Sequence, residues 1–236
     1  MRKVKTMTIP IVTRMLVAVV AMGLLGGCAL VYAAGGMAQN FEYQKEVEVL
    51  PKYDGLEHRT VAVLVDSDLA LRYERPRLVS ELAVNLSRAV AKHVMGVRVL
   101  PPQHVLQWQY RTPEWNLLPR GEVAEQLGVE RVLWVDLQTF RLHPQGNTWI
   151  WEGVVEAEIG IVEEGGFDPD DFVDAWRITA VFPDVHSLDR DSASEHSIRL
   201  GLEANFVKRT AWLFYPHLEP KYPDKFRSES RAETNP

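Results

Sequence analysis

Asp66, Asp68, Cys28 and the aromatic group Trp108, Tyr110 and Trp115 are the side chains whose types and spacing could carry chemistry or recognition in this 236-residue chain. Asp66-Ser67-Asp68 follows the apolar run Thr60–Val65. Two carboxylates so placed at a strand end can divide phosphoryl chemistry between them: one attacks phosphorus, the other moves a proton, and Mg²⁺ clamps the oxygens. Cys28 is the only thiol, and a thiolate is the natural nucleophile for building a thioether. The third group falls within Gln107–Leu118, where Pro113 interrupts regular structure. Exposed Trp and Tyr rings in such a stretch would suit partner binding.

The carboxylate pair resembles the nucleophile loop of haloacid-dehalogenase-type phosphatases, but two departures count against it. Ala70 stands where that motif has Thr or Val, and no later apolar strand ends in the second acidic pair that would complete a magnesium site. Turn aspartates capping the next segment are the better reading. The acidic stretch from Glu163 and Glu164 through Asp168, Asp170 and Asp171 lacks the spacing of a calcium loop and reads as a hairpin turn. The seven histidines form no metal-binding pattern, and His93 reads as structural near a helix end. Neither a nucleophile elbow nor a glycine-rich phosphate loop is present. The expectation is a protein that is not an enzyme and needs neither cofactor nor metal. Its net charge of −6, with no long basic run, argues against nucleic acid as a partner, and one cysteine excludes an internal disulfide framework.

Arg2, Lys3, Lys5 and Arg14 are the charges before Glu42, and Met15–Leu25 is uncharged and mostly apolar. This is the layout of a secretory signal peptide. It runs into Leu25-Gly26-Gly27-Cys28, which resembles a bacterial lipobox. That resemblance implies cleavage before Cys28, a diacylglycerol thioether on its sulfur, and anchorage by acyl chains at ~0.8 kcal/mol per buried CH₂. Removing the four N-terminal cations takes the net charge from −6 to −10. Ala29, in the place where Asp would favour retention at the inner membrane, leans toward the outer one. A single transmembrane anchor over Met15–Ala34 and simple cleavage near Ala34 are the alternatives. Glycines between Gly23 and Gly36 make the anchor a poor helix.

Four regions follow: a signal peptide at 1–27, a lipidated tether at 28–46, an α/β domain at 47–215 and a disordered tail at 216–236. Thr60–Val65 reads as a buried strand and Arg77–Val94 as an amphipathic helix that Gly96 stops. Val97–Leu100 should pair in parallel with the first strand. A single helical turn is expected at Gln103–Trp108, then the aromatic loop, with Trp115 more exposed than Trp108. Arg120–Leu127 is a helix closed by Gly128, and Arg131–Leu142 a strand. Trp149–Val162 alternates as one continuous strand, with Glu152, Glu156 and Glu158 on its polar side, and Trp176–Phe182 returns as a hairpin. Ser192 with Glu195 looks like a capping box opening a helix through Trp212 that Pro216 ends. Trp134, Trp151, Trp176 and Trp212 are expected in the core. The order β-α-β-α-β-β-β-α predicts a single mixed sheet packed by helices.

With Val61–Val65, Val97-Arg98-Val99-Leu100, Val105-Leu106 and Val123–Leu133 in that order, the chain is similar to one superfamily of envelope domains. Its members include the amino-terminal domain of the Tol-Pal periplasmic protein, the curli-secretion lipoprotein and the lipoprotein activators of penicillin-binding proteins. In them a short helix ending Leu-Gly runs into a strand, as Leu127-Gly128 does here. The resemblance implies a non-catalytic, membrane-anchored envelope lipoprotein that faces the periplasm and binds envelope proteins. The alternative is an oligomeric subunit of an export or secretion assembly, with homo-oligomers. A phosphatase using Asp66 and Asp68 is the remaining, weaker alternative. Cys28→Ser is expected to leave an uncleaved precursor without acyl mass, because serine forms no thioether. Intact-mass measurement of the membrane fraction reads the outcome.

Overall fold

The structure is a computed structural model and describes residues 45–166, 171–184 and 186–221. The signal segment, Cys28 with its tether up to residue 44, Asp168, Asp170 and the tail from Tyr222 lie outside the described residues. The chain divides into two units. In the smaller, Met1–Val47 with Glu219–Pro223, the described residues are 45–47 and 219–221. The larger contains Glu48–Leu218 and all the elements of the main sheet.

Strand β2 (Thr60–Ser67) is the centre of that sheet. Val61, Ala62, Val63, Leu64 and Val65 are all buried, so both faces of the strand are covered. Val61, Val63 and Val65 meet one apolar cluster, while Ala62 and Leu64 meet another. Such a strand needs hydrogen-bonded neighbours on both edges and an apolar layer on both sides. The sheet order β3-β2-β4-β6-β7 supplies the edges. Strands β3 (Arg98–Val99) and β4 (Arg131–Arg141) run parallel to β2, whereas β6 (Gly153–Glu163) and β7 (Asp174–Phe182) continue antiparallel. This is the mixed sheet packed by helices that the periodicity predicts.

On the first face lie α2 (Leu78–His93) and α5 (Glu195–Ala211). Leu78, Leu82, Leu86 and Val90 form the buried stripe of α2, matched by Ile198, Leu202 and Phe206 of α5. Gly96, at φ +64, turns the chain toward β3, and the His58 ring fills the space that a Cβ there would need. Arg199 of α5 joins the two helices by donating to Glu81 at 2.6 Å and Glu203 at 2.7 Å. Burial pushes the Glu203 carboxyl above the usual range against the pull of Arg199.

The second face carries α3 (Pro102–Arg111), a 3-10 turn at Trp115–Leu117 and α4 (Arg120–Leu127). Gly128 ends α4 at φ +65, its N–H bonding to Ala124 and Glu125, as a left-handed cap requires. At the start of β2, Glu130 accepts from the Thr60 N–H at 2.8 Å and from Arg59 at 2.7 Å. These bonds, the Thr60 amide first, hold its carboxyl down to about 2. The stability they contribute is lost as pH falls from the ordinary carboxylate range through about 2. Nearby, burial and the Glu163 carboxylate that accepts its hydroxyl at 2.8 Å raise Tyr53 to about 12.

Two edges of the fold matter below. Asn205 and Arg209 of α5 donate to the Val181 and Thr179 carbonyls of the edge strand β7, at 2.7 and 3.1 Å. A separate two-stranded ribbon pairs β1 (Glu46–Val49) with β9 (His217–Pro220), and β5 (Ile150–Trp151) pairs with β8 (Leu188–Asp189).

Several expectations need correction. Asp68 caps a short helix, α1 (Leu69–Glu74), that the sequence reading lacks. The single turn expected at Gln103–Trp108 is a full helix to Arg111, started by Pro102 and stopped just before Pro113. Trp149–Val162 is interrupted at Glu152, which separates β5 from β6. The helix cap is Ser194, which accepts from the Ser197 N–H, while Ser192 sits in a 3-10 turn. That helix closes at Ala211, leaving Trp212 half-buried as its C-cap. His217–Pro220, expected in the disordered tail, is strand β9.

The main correction concerns Trp115, which is 3% exposed and so more buried than Trp108, not less. The 3-10 turn drives it against Trp134, with ring centroids 5.2 Å apart, and Trp108 packs behind it at 6.3 Å. Trp115→Ala is therefore expected to cost ~3–5 kcal/mol, whereas Tyr110→Ala should stay within ~0.5 kcal/mol of the parent. Thermal melting of the two variants side by side checks this.

Candidate functional site

The connection from β2 to β3 carries α2 on one face, and the connection from β3 to β4 carries α3 and α4 on the other. The chain thus reverses direction across the sheet between β2 and β4. In open α/β sheets the crevice outside the carboxyl ends of two such strands is where ligands bind. Here that position holds Asp66 and Asp68 from β2 and its turn, and Asp136 from β4.

The two aspartates singled out in the sequence have structural partners. Asp66 Oδ1 accepts from the Ser67 N–H at 2.7 Å and pairs with Arg72 of α1. Asp68 Oδ1 accepts from the Leu71 N–H at 2.7 Å and so starts α1. A nucleophile and its acid–base partner would need these oxygens for the substrate and the metal. Among the described residues no three His, Cys, Asp or Glu side chains are placed to hold a metal ion. Asp171, from the acidic hairpin turn, accepts from the Phe172 N–H. His93 stacks on Tyr215 with centroids 4.6 Å apart.

A row of charges that the sequence reading missed crosses the strands here. Asp66, Asp136 and Glu158 are register partners on β2, β4 and β6, followed by Arg177 on β7. Burial first, then the charges of Asp66 and Glu158, push the Asp136 carboxyl above its ordinary value, and a hydrogen bond with Gln138 opposes them. The polar phase of Glu158 was visible in the alternation of its strand. Its alignment with Asp66 depends on strand pairing between distant segments, which no local pattern encodes.

The aromatic group separates into three environments. Trp115 is core. Trp108 is half-buried, its Nε1–H donating to Gln126 at 3.2 Å. Tyr110 is 88% exposed on the last turn of α3, where neighbouring Gln109 donates to the Val65 carbonyl and fastens that turn to the end of β2. On α1, which leaves the same strand end, Leu69 is 81% and Tyr73 89% exposed. Trp134 and Trp151 are buried, while Trp176 is half-buried against Tyr53 and Phe214. No helix of the described residues is long and apolar enough to cross a membrane.

No family model and no curated protein matches the chain. Among solved structures it is similar to lipoprotein GNA1162 of Neisseria meningitidis, at 13% identity over 61% of this chain and 93% of that one, with a TM-score of 0.39. The PelC dodecamer of Paraburkholderia phytofirmans matches at 13% identity over 72% and 97%, with a TM-score of 0.40. The LpoB C-terminal domain of Salmonella enterica matches at 13% identity over 54% and 87%, with a TM-score of 0.35.

The charge row leads to a pH prediction. Because the folded protein raises the Asp136 value, ionised Asp136 costs stability at neutral pH, and the cost is relieved as pH falls through the folded value. Asp136→Asn should stabilise the fold at pH 7 by ~0.2–1 kcal/mol, as expected for removing a like charge from facing strands. The variant should also lose that acid-side gain. Melting temperatures of both proteins between pH 7 and pH 4 decide the matter.

Proposed function

We propose that this chain is a lipid-anchored, non-catalytic component of the cell envelope that works by binding other proteins. The carrying observation is the exposure of Leu69, Tyr73 and Tyr110 on the elements that meet at the end of β2. Large side chains so fully in water add nothing to the core, and tyrosines held on fastened helices lose little entropy when a partner covers them. The carboxylates beside them, Asp66 and Asp68, orient α1, so their role is to position this surface rather than to turn over a substrate. Anchorage at Cys28 rests on the sequence of the first thirty residues, with the outer membrane favoured by Ala29 and the domain facing the periplasm.

The test uses full chain purified from membranes with its bound proteins. Tyr73→Ser combined with Tyr110→Ser should melt within a few degrees of the parent and reduce co-purifying protein about tenfold, which corresponds to ~1.4 kcal/mol. Unchanged co-purification by a well-folded variant would overturn the assignment of this surface.

A further inference from the structure

Among the described residues strand β3 forms one edge of the main sheet and pairs with β2 alone. The Arg98 N–H donates to the Arg59 carbonyl and the Leu100 N–H to the Val61 carbonyl, both at 2.8 Å. Backbone groups alternate in direction along a strand, so the N–H and C=O of Val99 between them face away from the sheet. Beside this edge lies a groove of about 300 Å³ between α2 and the turn after β3. Ser87 and Ala91, with their small side chains, line it together with the apolar Val84, Val99 and Pro101. Arg88 in its lining is exposed, and so is Arg98 on the edge strand itself. An open strand edge beside an apolar hollow takes an extended segment, by main-chain pairing and one seated side chain. These cations select for acidic residues in that segment.

The chain itself carries a segment with these properties. Strand β1 reads Glu46-Val47-Glu48-Val49 and, among the described residues, is paired on one edge alone, to β9. Its glutamates are exposed and Val47 is 40% exposed. We propose that β1 of a second copy docks on the β3 edge, seating Val47 in the groove. The alternation of side chains supports the fit. Val99 shares the α2 side of the sheet with its register partner Val61, so Arg98 lies on the opposite side. A strand added with Val47 toward α2 sets Glu46 and Glu48 on the Arg98 side, where opposite charges on adjacent strands attract. The contact joins two different surfaces, so it is head-to-tail, and repetition gives a ring or an open chain of copies rather than a two-fold dimer. It involves neither Cys28 nor the surface of Tyr73 and Tyr110, so its failure would leave that reading standing.

Sedimentation of the detergent-solubilised full chain over a range of concentrations tests this, with the synthetic peptide of residues 45–50 as competitor. The parent should associate, and excess peptide should dissociate it. Arg98→Glu should weaken association at least tenfold, as should Glu46→Arg with Glu48→Arg. Combining all three should restore it, an outcome that simple misfolding does not produce. Ala91→Trp, which fills the hollow from an exposed helix position, should weaken association while the melting temperature holds. A parent that stays monomeric at every concentration, or associates regardless of Arg98→Glu, would overturn the proposal. So would a triple variant that fails to recover.

Discussion

Everything in this fold is organised by the burial of β2 on both faces. Five consecutive apolar residues, Val61 to Val65, exclude water from the strand's sides and leave its backbone bonds to be met by β3 and β4. Full burial of each such side chain contributes ~1.5–3 kcal/mol, so neither helical layer is dispensable. One layer follows β2 directly and the other must be reached by crossing the sheet. That crossing sets the reversal between β2 and β4, and with it the position of Asp66 and Asp136.

The second layer stops short. Helices α3 and α4 cover Ala62, Leu64, Val132, Trp134 and Val162, and beyond them the same face carries Asp136, Glu156 and Glu158. The sheet therefore changes from apolar to acidic along the length of its own strands. Trp115 marks the limit of cover, since its ring links α3 and α4 to Trp134. Past that ring the helices offer water their far ends, where Tyr110 stands. Buried Trp115 and exposed Tyr110 thus belong to one stretch of chain.

How far the sequence reveals this depends on the range of the forces involved. Strand β2, helix α2, the Gly128 stop and the β6–β7 hairpin were legible because the period of their apolar residues is a local property. Helix α1 was not, because Leu69–Glu74 buries only Leu71 and shows no stripe; its signal was the capping aspartate, Asp68. Serine can cap wherever a free N–H lies within reach, so the choice of Ser194 over Ser192 depended on where the 3-10 turn ended. The burial of Trp115 was not legible, because Pro113 signals only a break in regular structure, whereas the 3-10 turn that seats the ring against Trp134 depends on tertiary packing. Among the residues of the candidate site, Asp66, Asp68 and Tyr110 could be picked out in advance. Asp136 could not, since a single charge within an apolar strand acquires meaning only from the neighbour that pairing gives it.

The two edges of the sheet have unequal fates. On β7 the side chains of Asn205 and Arg209 occupy carbonyls that an incoming strand would need. Edges left uncovered are where β-rich proteins polymerise without control, above all when copies are crowded together. With that side occupied, uncontrolled growth by stacking sheets edge to edge in both directions is blocked. The molecule has a built-in polarity. Further strand addition is thereby confined to the β3 side of the main sheet.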